Sequence, residues 1–268
     1  MFRTRLLTAI VALPLTILAI VQGGLWFFAI VAAVLTAAVV EFCLLMQREG
    51  FRPAAPFAVA LLWVFLIHAQ FPALNLLGPG VSLVMMATLG WYMTHRQQQP
   101  TVNWALTVTG PFYVGWFGMH FILLRALPTG LWWTLTVLPA IWLADSAAYF
   151  VGRQWGRHKM APTLSPGKTW EGWLGGILIG GPATAGLAAL WARFASPSAP
   201  WPIHGLLVGL TIATVAPLGD LAISMIKREV GVKDSGTLFP GHGGALDRVD
   251  SLLWAAVIGY YLALLLAG

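Results

Sequence analysis

Apolar residues in this chain gather in long blocks separated by short polar connections. The blocks fall at about 6–22, 24–46, 57–74, 79–94, 102–124, 131–151, 173–194, 203–226 and 250–267. Each is close to the 17–25 mostly apolar residues that a helix needs to cross a bilayer. Hydrocarbon offers no partner to backbone N–H and C=O groups, so runs of this length satisfy them as helices. The pattern therefore predicts an all-α fold, a polytopic transmembrane helical protein of about nine spans. The first block follows the basic stretch "MFRTR" and has the outline of a signal peptide. A second block follows at once with no small-residue cleavage site between them, so the first is read as a helix, bent at Pro14.

Composition agrees: of 268 residues 59% are hydrophobic and 9% charged, with a mean hydropathy of +0.80, against about 25% charged in an ordinary soluble domain. The single cysteine, Cys43, lies in an apolar run, which excludes an intramolecular disulfide and a thiolate metal cluster and leaves a small buried hydrophobe. Charge then orients the spans. Of the 15 Lys and Arg residues, all but Arg125 and Arg193 fall on the side of the N-terminus, so that side is cytoplasmic and the C-terminus is extracytoplasmic. This asymmetry accounts for most of the basic pI of 9.9, and no nucleic-acid partner is needed. The nine acids, Glu41, Glu49, Asp145, Glu171, Asp220, Glu229, Asp234, Asp247 and Asp250, share that side. Carboxylate chemistry is thus expected at the cytosolic leaflet.

Polar residues are sparse over 1–128, which reads as transmembrane scaffold. They concentrate over 129–268, the expected catalytic region, in the loops "GRQWGRHKMAPTLSPGKTWEG" and "KREVGVKDSGTLFPGHGGALDRVDS". Gly172, Gly176 and Gly180 recur every fourth residue, a spacing that lets two helix backbones approach, within one chain or between two.

On a helix, Asp220, Ser224 and Lys227 or Arg228 share one face. An acid near the middle of a membrane helix costs about 2.5–3.5 kcal/mol on insertion scales, and such residues mark function by default. Downstream, Lys233, Asp234, Ser235 and Gly236 lead into glycines 241, 243 and 244 around His242. Glycines free a loop to turn sharply and present N–H groups to an anion. Asp247, Asp250 and Ser251 follow at the start of a helix, with Arg248 between them. Carboxylates beside a phosphate site repel the phosphate unless a divalent cation stands between, so Asp220 and Asp247 are the best candidates for ligands of Mg²⁺, which takes one or two carboxylates plus substrate phosphates. Asp250 is equally explained as a first-turn acid favoured by the helix dipole. Ser165 and Pro166 read as a helix cap and first helical position, placing Lys168 near a helix N-terminus, a ready phosphate site. Asp145, in "DSAAYFVGR", is a third metal ligand or a partner for Arg153. His242 is read as a phosphate contact or loop element rather than a base.

Taken together, Ser224-x-x-Lys227-Arg228, Lys233-Asp234-Ser235-Gly236, Pro240-Gly241-His242-Gly243-Gly244 and Leu246-Asp247-Arg248-x-Asp250-Ser251 resemble the signature of the phosphatidate cytidylyltransferase (CDP-diacylglycerol synthase) family. The resemblance extends to "DSAAYFVGR" and "SPGKTWEG", and the pattern of spans suits the whole chain. One departure is Gly167, where the family commonly has a second lysine, which puts more weight on Lys168. The resemblance implies CTP and phosphatidate as substrates, CDP-diacylglycerol and pyrophosphate as products, Mg²⁺ at Asp220 and Asp247 with room for a second cation, and often a homodimer. It implies contact of Lys168, Lys227, Arg228, Lys233 and Arg248 with the anionic substrates, and a bacterial inner membrane with the active site facing the cytosol. Membrane lipids are then both surroundings and substrate.

Two rival readings stand beside this one, the first from another class of function. A transporter predicts charges or broken helices near the midplane and symmetry between halves, whereas here the halves differ and the polar groups lie on one side. A transferase acting on another lipid phosphate shares the substrate logic. The D-G-x-x-A-R context of a CDP-alcohol phosphotransferase is missing from the sequence.

Overall fold

The computed structural model of the chain describes residues 13–95, 97–195, 198–238 and 243–267. Helices dominate: α1 (Leu13–Gln22), α2 (Gly24–Arg48), α3 (Ala55–Gln70), α4 (Leu77–Thr94), α5 (Pro100–Ala126) and α6 (Gly130–Trp155). A hairpin follows, β1 (Lys159–Ala161) with β2 (Ser165–Thr169). After it come α7 (Trp170–Gly175), a π-helical stretch (Gly176–Gly180), α8 (Gly181–Ala195), α9 (Pro202–Val215), α10 (Pro217–Glu229) and α11 (Ala245–Ala267). Every apolar block of the sequence coincides with helix, the first over its described part.

Five helical runs are long and apolar enough to cross a membrane among the described residues: Gly24–Arg48, Gly130–Trp155, Trp170–Ala195, Pro202–Glu229 and Ala245–Leu266. The protein is thus a helical membrane protein. One element departs from the all-helical expectation, the antiparallel β1–β2 hairpin, which pairs Lys159 with Thr169 and Ala161 with Ser165 across an irregular register. Its position corrects the reading of Ser165 and Pro166 as a helix start. Both residues are strand, and α7 begins at Trp170 with Thr169 as its cap, the Thr169 Oγ1 accepting from the Gly172 N–H at 3.1 Å.

The backbone divides into two compact units. The first comprises the chain up to Leu123 together with Lys227–Val249. Its core is aliphatic and aromatic, with Leu35, Leu45, Leu61, Leu62, Phe65 and Leu66 almost fully buried. Glycines on α5 let it press against its neighbours: a Cβ on Gly110 would meet the Phe42 ring, and one on Gly118 would meet Leu35. A polar knot closes the turn before α3. The Ala54 N–H lies 2.9 Å from both Tyr92 Oη and Thr107 Oγ1, and the Asn103 side-chain oxygen accepts from the Arg52 N–H at 2.7 Å.

The second unit comprises Leu124–Ile226 and Asp250–Gly268. Its organising contact is α6 against the run from α7 through the π-helical stretch. A Cβ on Gly172 would lie 2.8 Å from the Ala148 carbonyl oxygen, one on Gly176 3.1 Å from that of Ala144, and one on Gly180 2.7 Å from the Ala144 Cα. The four-residue glycine spacing thus serves close packing within this chain. The π-helical stretch Gly176–Gly180 carries the last two of these glycines.

Candidate functional site

In the second unit, α6, the hairpin, α7 and the start of α10 surround a cavity of about 630 Å³. Its size is that of a small-molecule site. Asp145 and Tyr149 reach it from α6, Lys159 and Met160 from β1, Ser165, Lys168 and Thr169 from β2, and Asp220 from the first turn of the α10 helix. Lys168 is held at the centre of this group. Its ammonium lies 2.8 Å from Asp220 Oδ2 and donates to the Pro217 carbonyl at 3.1 Å. The Ser224 hydroxyl, one turn along, donates to Asp220 Oδ1 at 3.3 Å. Lys168 and Asp220 are also close enough to act electrostatically on Asp145. The cavity therefore gathers two carboxylates from helices otherwise fit for hydrocarbon, the lysines of the hairpin, Lys159 and Lys168, and Arg153.

Its rim is fastened by Glu171, whose carboxylate accepts from the Arg157 and His158 N–H groups at 3.1 and 3.2 Å and pairs with His158 Nδ1 at 2.5 Å. Arg153, expected as a partner for Asp145, instead donates to Tyr149 Oη at 3.2 Å, and both side chains line the cavity. Asp250, in α11, accepts from the Ser251 N–H at 2.6 Å.

The first unit holds a separate polar centre built on Asp247. The Lys227 ammonium lies 2.6 Å from Asp247 Oδ1, both side chains being over nine-tenths buried. Asp247 Oδ2 accepts from the Ser235 N–H at 2.8 Å, the Ser235 hydroxyl at 2.9 Å and the Gly244 N–H at 3.0 Å. The N–H groups of the glycine loop, read from sequence as a nest for substrate anions, thus include two that hold a carboxylate of the protein itself. Gly243 adopts φ +83°, and a Cβ there would lie 2.7 Å from Asp247 Oδ2. Lys233, Asp234, Arg228 and Arg248 are exposed around this centre, and Arg228 Nη1 donates to the Val232 carbonyl at 2.8 Å. Gly241 and His242 lie outside the described residues.

Sequence reasoning assigned no role to Glu41, in the middle of α2. It is buried, and its Oε2 accepts from the Ser235 hydroxyl and from the Leu246 N–H, each at 3.0 Å. The available signal was a lone carboxylate inside an apolar helix, which by itself names no partner. Thr169 and Glu171 were likewise missed, because their roles depend on a hairpin that the sequence pattern did not reveal.

Among the described residues no three His, Cys, Asp or Glu side chains cluster into a protein-only metal cage. A Mg²⁺ site of one or two carboxylates completed by substrate phosphates needs fewer, and Asp145 and Asp220 supply two in one cavity.

The model of the cytidylyltransferase family matches residues 3–266. A phosphatidate cytidylyltransferase from Synechocystis sp. is 32% identical over 98% of this chain and 96% of its own length. One from Bacillus subtilis is 32% identical over 97% of each chain, and one from Brucella suis is 34% identical over 99% of this chain and 94% of its own. With this match running through both units and both polar centres, the chain belongs to the cytidylyltransferase family of enzymes.

Proposed function

We propose that this enzyme is a phosphatidate cytidylyltransferase, transferring CMP from CTP to phosphatidate to give CDP-diacylglycerol and pyrophosphate. The observation that carries the reading is the cavity in which Asp145 and Asp220 of membrane helices meet Lys168 of the hairpin. The names of the full-length relatives support the same substrates. A phosphate oxygen of phosphatidate attacks the α-phosphorus of CTP, and the bond from that phosphorus to the oxygen bridging to the β-phosphate breaks. Phosphatidate is already anionic at neutral pH, so no protein base is required. The protein positions two polyanions and neutralises their charge, as in other phosphoryl-type transfers.

Mg²⁺ fits the hard oxygen donors present and would offset the charge of the CTP phosphates. In the second unit, Asp145 and Asp220 are the side chains to hold it. In the first unit, Asp247 is the candidate, its Oδ1 being the oxygen that Lys227 would release on turning to a phosphate. Lys168 exchanges its contact with Asp220 for substrate phosphate. Lys227, Arg228, Lys233 and Arg248 bind the remaining anionic oxygens, with Ser165, Ser224, Asp234, Ser235, Gly241, His242, Gly243, Gly244 and Asp250 completing the substrate contacts. The protein is proposed to lie in a bacterial inner membrane with nine spans, its N-terminus and active site on the cytosolic side, as a homodimer.

Pyrophosphate release by the purified protein with CTP, phosphatidate and Mg²⁺ tests the reading. Release is expected with CTP and not with ATP or GTP, and EDTA stops it until Mg²⁺ is restored in excess. Asp220→Asn is the decisive variant, because the Lys168–Asp220 pair is partly exposed and such pairs contribute only about 0–1 kcal/mol to stability. A folded Asp220→Asn protein should lose release by at least about a hundredfold. Wild-type protein that is folded yet releases no pyrophosphate with phosphatidate would remove the assignment.

A further inference from the structure

The glycines at 236 and 244 are explained by a residue about two hundred positions upstream. A Cβ on Gly236 would lie 2.4 Å from Glu41 Oε1, and one on Gly244 would lie 2.2 Å from Glu41 Oε2. Gly236 and Gly244 therefore both close on a carboxylate delivered by α2. That carboxylate is 8% exposed and accepts from the Leu246 N–H and the Ser235 hydroxyl. Ser235 is itself buried, and its oxygen lies 3.0 Å from Glu41 Oε2 and 2.9 Å from Asp247 Oδ2. A hydroxyl carries one hydrogen, so Ser235 donates to one of these acids at a time while its oxygen stays between both. Leu246 directly precedes Asp247, so Glu41 grips the backbone beside that acid as well as the hydroxyl that touches it.

We propose that Glu41 is a positioning residue for the reaction: through Ser235 and the Leu246 N–H it sets the placement of Asp247, and it touches no substrate. The proposal rests on the function proposed above for the consequence to turnover, but its structural part stands apart from it. Buried partners that orient a functional group in this way are typically worth 10–100-fold in activity. The exposed cations Lys233 and Arg248 are not bonded to Glu41, so the loss falls on kcat and leaves KM nearly unchanged.

Two measurements on the full-length protein in detergent test this. Steady-state turnover of Glu41→Gln should show kcat lowered 10–100-fold with KM for CTP and phosphatidate within about threefold. Ser235→Ala, which also removes a direct contact to Asp247, should lower kcat at least as far, and the double variant should lose less than the product of the two single losses, because the Glu41–Ser235 contact is shared. Limited trypsin digestion should show faster cleavage after Lys233 in Glu41→Gln, with cleavage after Lys159 unchanged. Wild-type kcat in Glu41→Gln with unaltered cleavage at Lys233 overturns the proposal. So does equal acceleration at both sites with kcat and KM failing together, which marks general loosening. Should Glu41→Gln fail to accumulate, Glu41→Asp, which keeps the charge but shortens the reach to the Ser235 hydroxyl and the Leu246 N–H, is judged on the same criteria. Should the wild type release no pyrophosphate, the function assigned above fails, while digestion still decides whether Glu41 holds the loop.

Discussion

The two carboxylates that the sequence put forward equally, Asp220 and Asp247, stand in opposite physical situations. Asp220 faces a cavity with its side chain 31% exposed, whereas Asp247 is 6% exposed and receives three hydrogen bonds in addition to the Lys227 ammonium. Removing one partner of a buried ion pair leaves the other charge unpaired and costs about 3–5 kcal/mol, while replacing both with apolar groups costs far less. Asp247→Asn and Lys227→Met are therefore each expected to lower the detergent-phase melting temperature markedly, and Lys227→Met with Asp247→Asn, which keeps an acceptor oxygen for the Ser235 and Gly244 donors, to recover part of the loss. Thermal unfolding followed by fluorescence size-exclusion chromatography checks this ordering. Lys168→Ala, from the more open pair, should leave the melting temperature almost unchanged and suppress turnover. Glu41 shows the limit of reading residues singly. A carboxylate in an apolar helix announces a role, but which of its neighbours it serves is set by contacts more than 190 positions away in sequence.

Among the elements, the hairpin and the helix after it decide where Lys168 points. Strand β2 ends at Thr169, whose hydroxyl caps α7, and Glu171 in the first turn of that helix fastens the loop entering β1. Thr169→Ala removes the cap and is expected to cost about 0.5–2 kcal/mol, seen as a lower melting temperature together with a raised KM for CTP, since Lys168 is adjacent. The helix that follows depends on glycine for its packing. Gly180 faces the Ala144 backbone at a distance that no Cβ tolerates, and a backbone cannot swing aside as a side chain does. Gly180→Ala should therefore destabilise by about 1–3 kcal/mol through overpacking, whereas Gly186→Ala, with open space around it, should stabilise by up to about 1 kcal/mol. A comparison of the two melting temperatures separates packing from intrinsic helix propensity, which favours alanine at both.

For the molecule as a whole, orientation is the property that charge asymmetry most directly predicts. In a Cys43→Ala background, Lys233→Cys is expected to react with a membrane-impermeant maleimide only from the cytosolic side, and Trp201→Cys only from the other. Both positions are exposed, so an inverted pattern would reverse the assigned topology. Helical membrane character was legible because it is a local property: long apolar blocks leave the backbone no partner but its own helix, and the described part of each block lies largely in helix. The candidate residues were legible because charges inside such blocks are costly and thus stand out, and the resemblance they carry is matched by the family over 3–266. A short hairpin of "KMA" and "SPGKT" was not, since its strands are too brief to show periodicity and its serine and proline imitate a helix cap. Nor was the division of the chain into units. Lys227–Val249 packs with the N-terminal helices because Glu41, Ser235, Lys227 and Asp247 satisfy one another's buried polar atoms, and such pairing depends on distance in space. Sequence by itself determined which segments are helical, which residues are chemically costly and which family they belong to. Only the tertiary structure decided which of those costly residues line a cavity and which are buried against one another, because hydrogen bonds and ion pairs between distant segments exist only once the helices have packed.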